Sequence, residues 1–431
     1  MALKGVIIAA PSSGAGKTMI TLGLLRALRN RGEDICSAKS GPDFIDPAFH
    51  AAASGAACVN LDAWAMTPED LRAMAHRQAR GVLVIEGAMG LFDGAPVVGD
   101  PMGKGSVADL AEVLGLPVVL VLDVARQSQS MAAVVAGFAG FRESVRIAGV
   151  ILNRVGSARH KAMVTRAVEA VGVPVVGAVM RDGRMARPSR HLGLVQAGED
   201  AGLDGFIEGA AAVIEESVDV AALVALAEPL ENAAPFQGFA PLGQRIAVAR
   251  DAAFAFAYPH LLQGWRQAGA EVSYFSPLAD EAPHAAADAL FLPGGYPELH
   301  AGRLAANHAF KTAMRASKAE IYGECGGYMA LGEGLVDADG VRHEMLGLLP
   351  VSTSFEKRKL HLGYRSLTAL SGPFEGHRLP AHEFHYASIL ASETPNLFAS
   401  SDSLGADLGV IGHRRGRVSG SFAHIIMPPR T

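Results

Sequence analysis

The sequence predicts two α/β domains in tandem, and three observations carry that expectation. Short apolar runs of strand length alternate with stretches of helical spacing, the pattern of parallel strands joined by crossover helices and covered on both faces. That alternation halts after residue 227 in EPLENAAPFQGFAPLGQ, a stretch with three prolines, and restarts at Arg245. The chain is 431 residues long, more than one ordinary domain holds.

The first predicted strand, Gly5 to Ala9, runs into AAPSSGAGKTMITLGLL (9–25), and a helix is expected from Met19 to Leu28. This stretch fits the phosphate-loop pattern G-x-x-x-x-G-K-[ST] except that Pro11 stands where the first glycine belongs. Strand, glycine-rich turn and helix are the context the motif needs. The amides of Ser13, Gly14, Ala15 and Gly16 at a helix N-terminus would make an anion cradle, which Lys17 would complete with charge. Thr18 would put its hydroxyl on Mg²⁺. The loop therefore points to ATP with Mg²⁺.

A strand at Ile35 to Ala38 leads into KSGPDFIDPAFH (39–50). Lys39 can contact phosphate there, while Asp43 and Asp46 can hold Mg²⁺ or position a substrate; the Gly-Pro and Asp-Pro pairs also make rigid turns by themselves. The strand Val82 to Ile85 delivers GVLVIEGAMGLFDG (81–94). Glu86 at its end is placed to hold Mg²⁺ opposite the loop, with Asp93 on the next turn, because ligands of such sheets gather at the carboxyl ends of strands. Strands at Val118 to Leu122, Ile147 to Leu152 and Val175 to Val179 follow. Asn153 can read an adenine edge, although a turn-forming asparagine explains it as well. A helical stretch from Gly209 to Ala227 closes the first domain, so the expected divisions are 1–228, a linker at 229–243, and 244–431.

In the second domain, strands are expected at Arg245 to Ala249, Glu271 to Phe275, Ala289 to Leu292 and Glu320 to Gly323. The last opens into Gly323-Glu324-Cys325-Gly326-Gly327, the form of a nucleophile elbow with sulfur in place of oxygen. The helix that follows is expected to lower the thiol toward thiolate. Cys36 and Cys58 have no such setting and read as small buried apolar residues. In LPGGYPE (292–298), the amides of Gly294 and Gly295 can form an oxyanion hole. The general base is left open between His424 in GSFAH and the cluster His382-Glu383-Phe384-His385, because the partner of a catalytic cysteine need only be near in space.

Composition excludes several classes. With a net charge of −5 and no long basic run, neither nucleic acid nor an anionic membrane surface is an expected partner. No stretch reaches the roughly 20 apolar residues of a membrane span. Three cysteines without metal-ligand spacing suit a reducing cytoplasm. Val6 to Ala10 leads straight into the phosphate loop, so no secretory signal is expected.

Taken together and in order, PSSGAGKT, KSGPDFIDP, EGAMGLFDG, RHLGL (190–194), LPGGYPE, GECGGYM and GSFAH resemble the cobyrinic acid a,c-diamide synthases of cobalamin biosynthesis. The resemblance runs over nearly the whole chain. It implies an N-terminal dethiobiotin-synthetase-like ATP domain and a C-terminal class I glutamine amidotransferase domain, with Cys325 as nucleophile and His424 as its base. It also accounts for Pro11, since these relatives use a variant phosphate loop. One departure stands out: the acid that wider class I amidotransferases carry two residues after the base is Ile426 here, so another group, for which Glu383 is a candidate, must orient His424.

The implied reaction is ATP- and glutamine-dependent amidation of the a and c carboxylates of cobyrinate or hydrogenobyrinate through acyl phosphates. Lys357, Arg358, Lys359 and Arg365 can face such carboxylates or form a solvated face. The relatives point to a homodimer. Competing readings are cobyric acid synthase, nickel-sirohydrochlorin a,c-diamide synthase and, from another class, a nucleotide-switched binding protein of the ParA type.

Overall fold

A computed structural model describes residues 3–185 and 202–430. The RHLGL stretch lies outside the described residues. By their contacts the residues fall into two units, Met1–Phe236 and Gln237–Thr431.

The first unit contains β1 (Lys4–Ala9), β2 (Ile35–Ser40), β3 (Cys58–Leu61), β4 (Val82–Glu86), β5 (Ala95–Val97), β6 (Asp100–Lys104), β7 (Val118–Asp123), β8 (Ile147–Val155), β9 (Val175–Met180) and β10 (Glu228–Pro229). Seven of these pair in parallel in the order β3-β2-β4-β1-β7-β8-β9, and β10 adds antiparallel to the start of β1. β1, flanked by β4 and β7, is where the strand order reverses, and there the carboxyl ends leave a crevice for ligands. Val6, Ile8, Val84, Val119, Val121 and Ile151 are buried in one core with Leu24 and Leu28 of the first helix, α1 (Lys17–Asn30). Each such side chain contributes about 1.5–3 kcal/mol on burial. β5 and β6 form a largely exposed hairpin after β4.

Two details differ from the sequence expectation. β3 was not expected; its four residues CVNL carry too short a pattern to read. The single helix expected from Gly209 to Ala227 is two, Leu203–Ser217 and Val220–Ala225. Between them Val218 is extended and bridges Gly177, while Asp219 donates its amide to Val176 and caps the next helix through Ala222 N. Pairing with the edge strand β9 outweighs helix continuation at these two residues.

The second unit holds a six-stranded sheet in the order Glu271–Phe275, Arg245–Ala249, Ala289–Leu292, Glu320–Glu324, Val418–Ser421, His413–Arg415, parallel except for the last. A five-stranded antiparallel sheet lies alongside in sequence, ordered Asp407–Ile411, Phe398–Ser401, His361–Ala369, Arg378–His385, His424–Ile425. A four-stranded sheet completes the unit. No helix among the described residues is long and apolar enough to cross a membrane.

Candidate active sites

In the first unit the loop after β1 turns through Gly14 (φ +79°) and Gly16 (φ +93°), backbone angles that favour glycine, and Gly16 caps α1. Ser13 and Gly14 are exposed and Ala15 is buried. Any side chain at Gly16 would collide with Asn153. Lys17 is buried and folds back: its Nζ donates to the carbonyls of Ser12 at 3.3 Å and Met89 at 2.5 Å. Burial pushes its pKa down, opposed chiefly by Glu86, with Asp93 also on the opposing side. Asp93 itself accepts the Gly90 amide at 2.8 Å, which shapes the turn beside Lys17's partner Met89.

Six groups from three segments converge at the ends of β2 and β4. Lys39 Nζ lies 2.6 Å from Asp46 Oδ2, 2.8 Å from Glu86 Oε1 and 3.8 Å from Asp43 Oδ2. Thr18 Oγ1 donates to Glu86 Oε1 at 2.7 Å and reaches Asp46 Oδ2 at 3.4 Å. Asp43 Oδ1 accepts the Ile45 amide at 2.7 Å and so anchors the helix that carries Asp46. Glu86 is fully buried, and its second oxygen meets His50 Nε2 at 2.5 Å. His50 gave no sequence signal; its place opposite Glu86 follows from the helix Ile45–Ser54 lying beside β2 and β3.

The electrostatics of this cluster are divided. Burial and then the neighbouring carboxylates Glu86 and Asp43 push Asp46 up to about 7. Burial acts on Glu86 in the same direction, but Lys39 and His50 outweigh it and hold Glu86 well below the usual carboxylate range. His50 is raised to about 10; burial works against its charge, and Glu86 prevails. Hard oxygen donors from Thr18, Asp46 and Glu86 around one buried cation position are the donor type Mg²⁺ takes. The residues therefore fit that ion, with Lys39 Nζ marking where positive charge is favoured.

Asn153 Nδ2 donates to Ala15 O at 2.8 Å, so its amide braces the loop. It also lines a cavity of about 290 Å³ with Gly16, Met19, Arg154, Arg181 and Met185. An adenine-sized group is the kind of occupant such a volume takes.

In the second unit the strand Glu320–Glu324 ends at Cys325, whose φ of +47° and ψ of −105° are those of a strained elbow before the helix Gly326–Leu331. Its amide donates to Ser421 O at 2.8 Å, tying the elbow to the strand that precedes His424. Gly294 sits against both side chains: a methyl there would strike His424 Cε1 and lie 3.2 Å from Cys325 Cβ. The structure thus brings Cys325, His424 and Gly294 together, and the Gly295 amide nitrogen faces Gly326.

Two expectations are corrected here. The Gly326 amide at the start of helix Gly326–Leu331 does pull the Cys325 thiol down, but burial first and then Glu298 outweigh it and hold the thiol above its ordinary range. A thiol raised in this way needs a base at the moment of attack. Glu383 does not serve His424: its oxygens engage His385 Nε2 at 2.9 Å and Arg365 Nε at 2.7 Å. The carboxylate near His424 is Glu324, with Oε2 3.6 Å from Nδ1 and Oε1 accepting the Ile425 amide at 3.0 Å. Both side chains are about 2 % exposed. Sequence reading missed Glu324 because it sought an acid after the histidine; the residue beside the nucleophile reaches it instead through the pairing of neighbouring strands. Of the basic run, Lys357, Arg358 and Lys359 are exposed, whereas Arg365 is committed to Glu383.

Comparison with known proteins agrees with this division. Residues 6–195 match the CobQ/CobB/MinD/ParA nucleotide binding domain, and residues 245–431 match the CobB/CobQ-like glutamine amidotransferase domain. The chain is 58% identical to a hydrogenobyrinate a,c-diamide synthase of Brucella abortus biovar 1 (strain 9-941), over 98% of each chain. It is 56% identical to one from Sinorhizobium sp (98% of this chain, 99% of that one) and 52% identical to one from Mesorhizobium japonicum (99% of each).

Proposed function

The chain belongs to the hydrogenobyrinate a,c-diamide synthase family, and from that premise we propose that it amidates the a and c carboxylates of hydrogenobyrinate with glutamine nitrogen at the expense of ATP. It is a carbon–nitrogen ligase of cobalamin biosynthesis. The observation that carries the two-site reading is the elbow Cys325 set against His424 and Gly294 in one unit, with the Lys17, Thr18 and Glu86 cluster in the other.

At the glutaminase site, Cys325 Sγ attacks the glutamine side-chain amide while His424 takes the thiol proton and passes it to the departing ammonia. The amides of Gly294 and Gly295, with that of Gly326 after the nucleophile, would receive the developing oxyanion. Glu324 stabilises His424 as it becomes an imidazolium. Water then releases glutamate from the thioester.

A free corrin carboxylate resists attack by ammonia, so it must first be activated. In the first unit the loop amides of residues 13–16 and Lys17 bind the phosphates of ATP, and Asn153 borders the base. Thr18, Asp46 and Glu86 would hold Mg²⁺, which would supply charge neutralisation for phosphoryl transfer. Lys39 holds Asp46 and Glu86 in place for it. Asp43, Asp46 and Asp93 would position the substrate carboxylate. The acyl phosphate then yields to ammonia. ATP supply and a reduced thiol both suit the cytoplasm.

The direct test is Cys325→Ala. It should abolish amidation with glutamine and preserve it with ammonium salts; loss of both activities would sink the assignment of separate sites.

A further inference from the structure

The antiparallel pair His361–Ala369 and Arg378–His385 gathers a cluster that the amidation chemistry does not use. His361 lies directly opposite His385, and Glu383, two residues earlier on the same strand, shares its face. The two imidazole rings stack 4.6 Å apart and 6° from parallel. One ring nitrogen from each histidine and one carboxylate oxygen of Glu383 lie within 4.8 Å of one another.

The hydrogen bonds around these groups point inward. His385 Nδ1 lies 3.1 Å from Ala387 O, and because a carbonyl only accepts, that nitrogen carries the ring proton. When the ring is neutral, Nε2 is then the nitrogen that presents a lone pair. What faces it at 2.9 Å is Glu383 Oε1, another acceptor. Two lone pairs do not satisfy each other, so a cation belongs between them, either a second proton or a metal ion. Arg365 meanwhile holds the other Glu383 oxygen at 2.7 Å. A histidine whose outer N–H meets a carbonyl, and a carboxylate steadied by an outer donor, are the supports that metal ligands carry.

We infer that His361, Glu383 and His385 form a binding site for a zinc-class divalent cation, with its open coordination position toward the adjoining cavity of about 380 Å³. Two imidazoles and one carboxylate select zinc or cobalt over magnesium. Metal–ligand bonds of about 2.0–2.1 Å put tetrahedral ligand atoms roughly 3.3 Å apart. The Nε2–Oε1 contact needs to open by about 0.4 Å, and half-buried His361 must close by up to about 1.5 Å and turn its ring out of the parallel stack, while His385 stays stacked on Phe422. Lys359 and Tyr328 also line that cavity. The Lys359 ammonium favours an anionic fourth ligand, while the Tyr328 hydroxyl is taken by His413 Nδ1 at 2.6 Å. The inference does not depend on which corrin is amidated.

The test uses the full chain carrying Cys325→Ser, which removes the competing thiolate, in millimolar Mg²⁺, which fills the nucleotide-unit site. Titration with Co²⁺ should develop intense visible d–d bands saturating at one equivalent and displaced by Zn²⁺. His361→Gln and His385→Gln should each weaken Co²⁺ binding at least tenfold. His361 is half-buried, so its variant keeps the test open should His385→Gln fail to fold. Absence of saturable bands would mean that a proton fills the gap, and unchanged affinity in the His361 variant would place the metal elsewhere; either result overturns the proposal.

Discussion

Replacing Glu324 by glutamine isolates the charge that faces His424 while nearly preserving shape. Glu324 Oε2 is 3.6 Å from His424 Nδ1, and neither side chain is exposed to screening solvent. Unit charges at that separation attract by about 4 kcal/mol at an effective dielectric near 20. That stabilisation acts only when His424 becomes an imidazolium, which happens during thiol attack, so it falls on the transition state. At 1.36 kcal/mol per tenfold, full loss would cost about 10³ in rate. Because proton transfer is partial at the transition state, Glu324→Gln should lower glutamine-dependent kcat by about 10²–10³. The assay is glutamate release under saturating glutamine, with ammonia-dependent amidation measured on the same preparation. The latter should stay within twofold of wild type, which separates loss of charge from unfolding. A glutaminase kcat reduced less than threefold would refute the role given to Glu324.

Three further outcomes follow from the same geometry. Gly294→Ala puts a methyl against His424 Cε1 and should cut glutamine-dependent turnover by more than about 10²-fold while ammonia-dependent turnover survives, as steady-state kinetics with each donor will show. Lys17→Met removes the charge of the phosphate loop and should lower amidation by about 10²–10³-fold with either nitrogen donor, leaving basal glutamine hydrolysis in place. His382 is depressed to about 3 by burial first, then by His424 and Arg365. Its folded pKa lies below the unfolded 6.5, so this contribution to stability is full above about 6.5 and is lost as pH falls toward 3, by up to about 1.4 kcal/mol per pH unit. In a Trp64→Phe background, denaturant titrations followed by Trp265 fluorescence should show that slope between pH 6.5 and 5, and His382→Gln should flatten it.

Much of the catalytic layout was legible because its motifs are local. A strand feeding a glycine-rich turn and Lys17-Thr18, or a strand feeding Gly-x-Cys-x-Gly, announces both the backbone shape and the chemistry. What escaped reading depends on distant pairing. His50 gains meaning only opposite Glu86, and Glu324 only because strand Val418–Ser421 runs beside Glu320–Glu324 and delivers His424 next to it. The net upward shift of the thiol escapes the sequence for a related reason: the lowering helix terminus is visible there, whereas burial and the Glu298 charge that outweigh it are not. The five-stranded antiparallel sheet and the mixed four-stranded sheet after residue 334 give no such signal, since strands such as HLGYRSLTA carry half-exposed polar side chains rather than apolar runs. The ParA-type alternative leaves Cys325 and His424 without a purpose, and the amidotransferase match over residues 245–431 gives them one.

The most direct measurement of the central claim is to incubate the protein with hydrogenobyrinate, ATP, Mg²⁺ and glutamine and count amides on the product by mass spectrometry, with cobyrinate in a parallel reaction. Two amides are expected on the metal-free corrin, none without ATP, and none from glutamine when Cys325 is alanine. Continued glutamine hydrolysis with no amide on hydrogenobyrinate, or amides on cobyrinate alone, would contradict that claim.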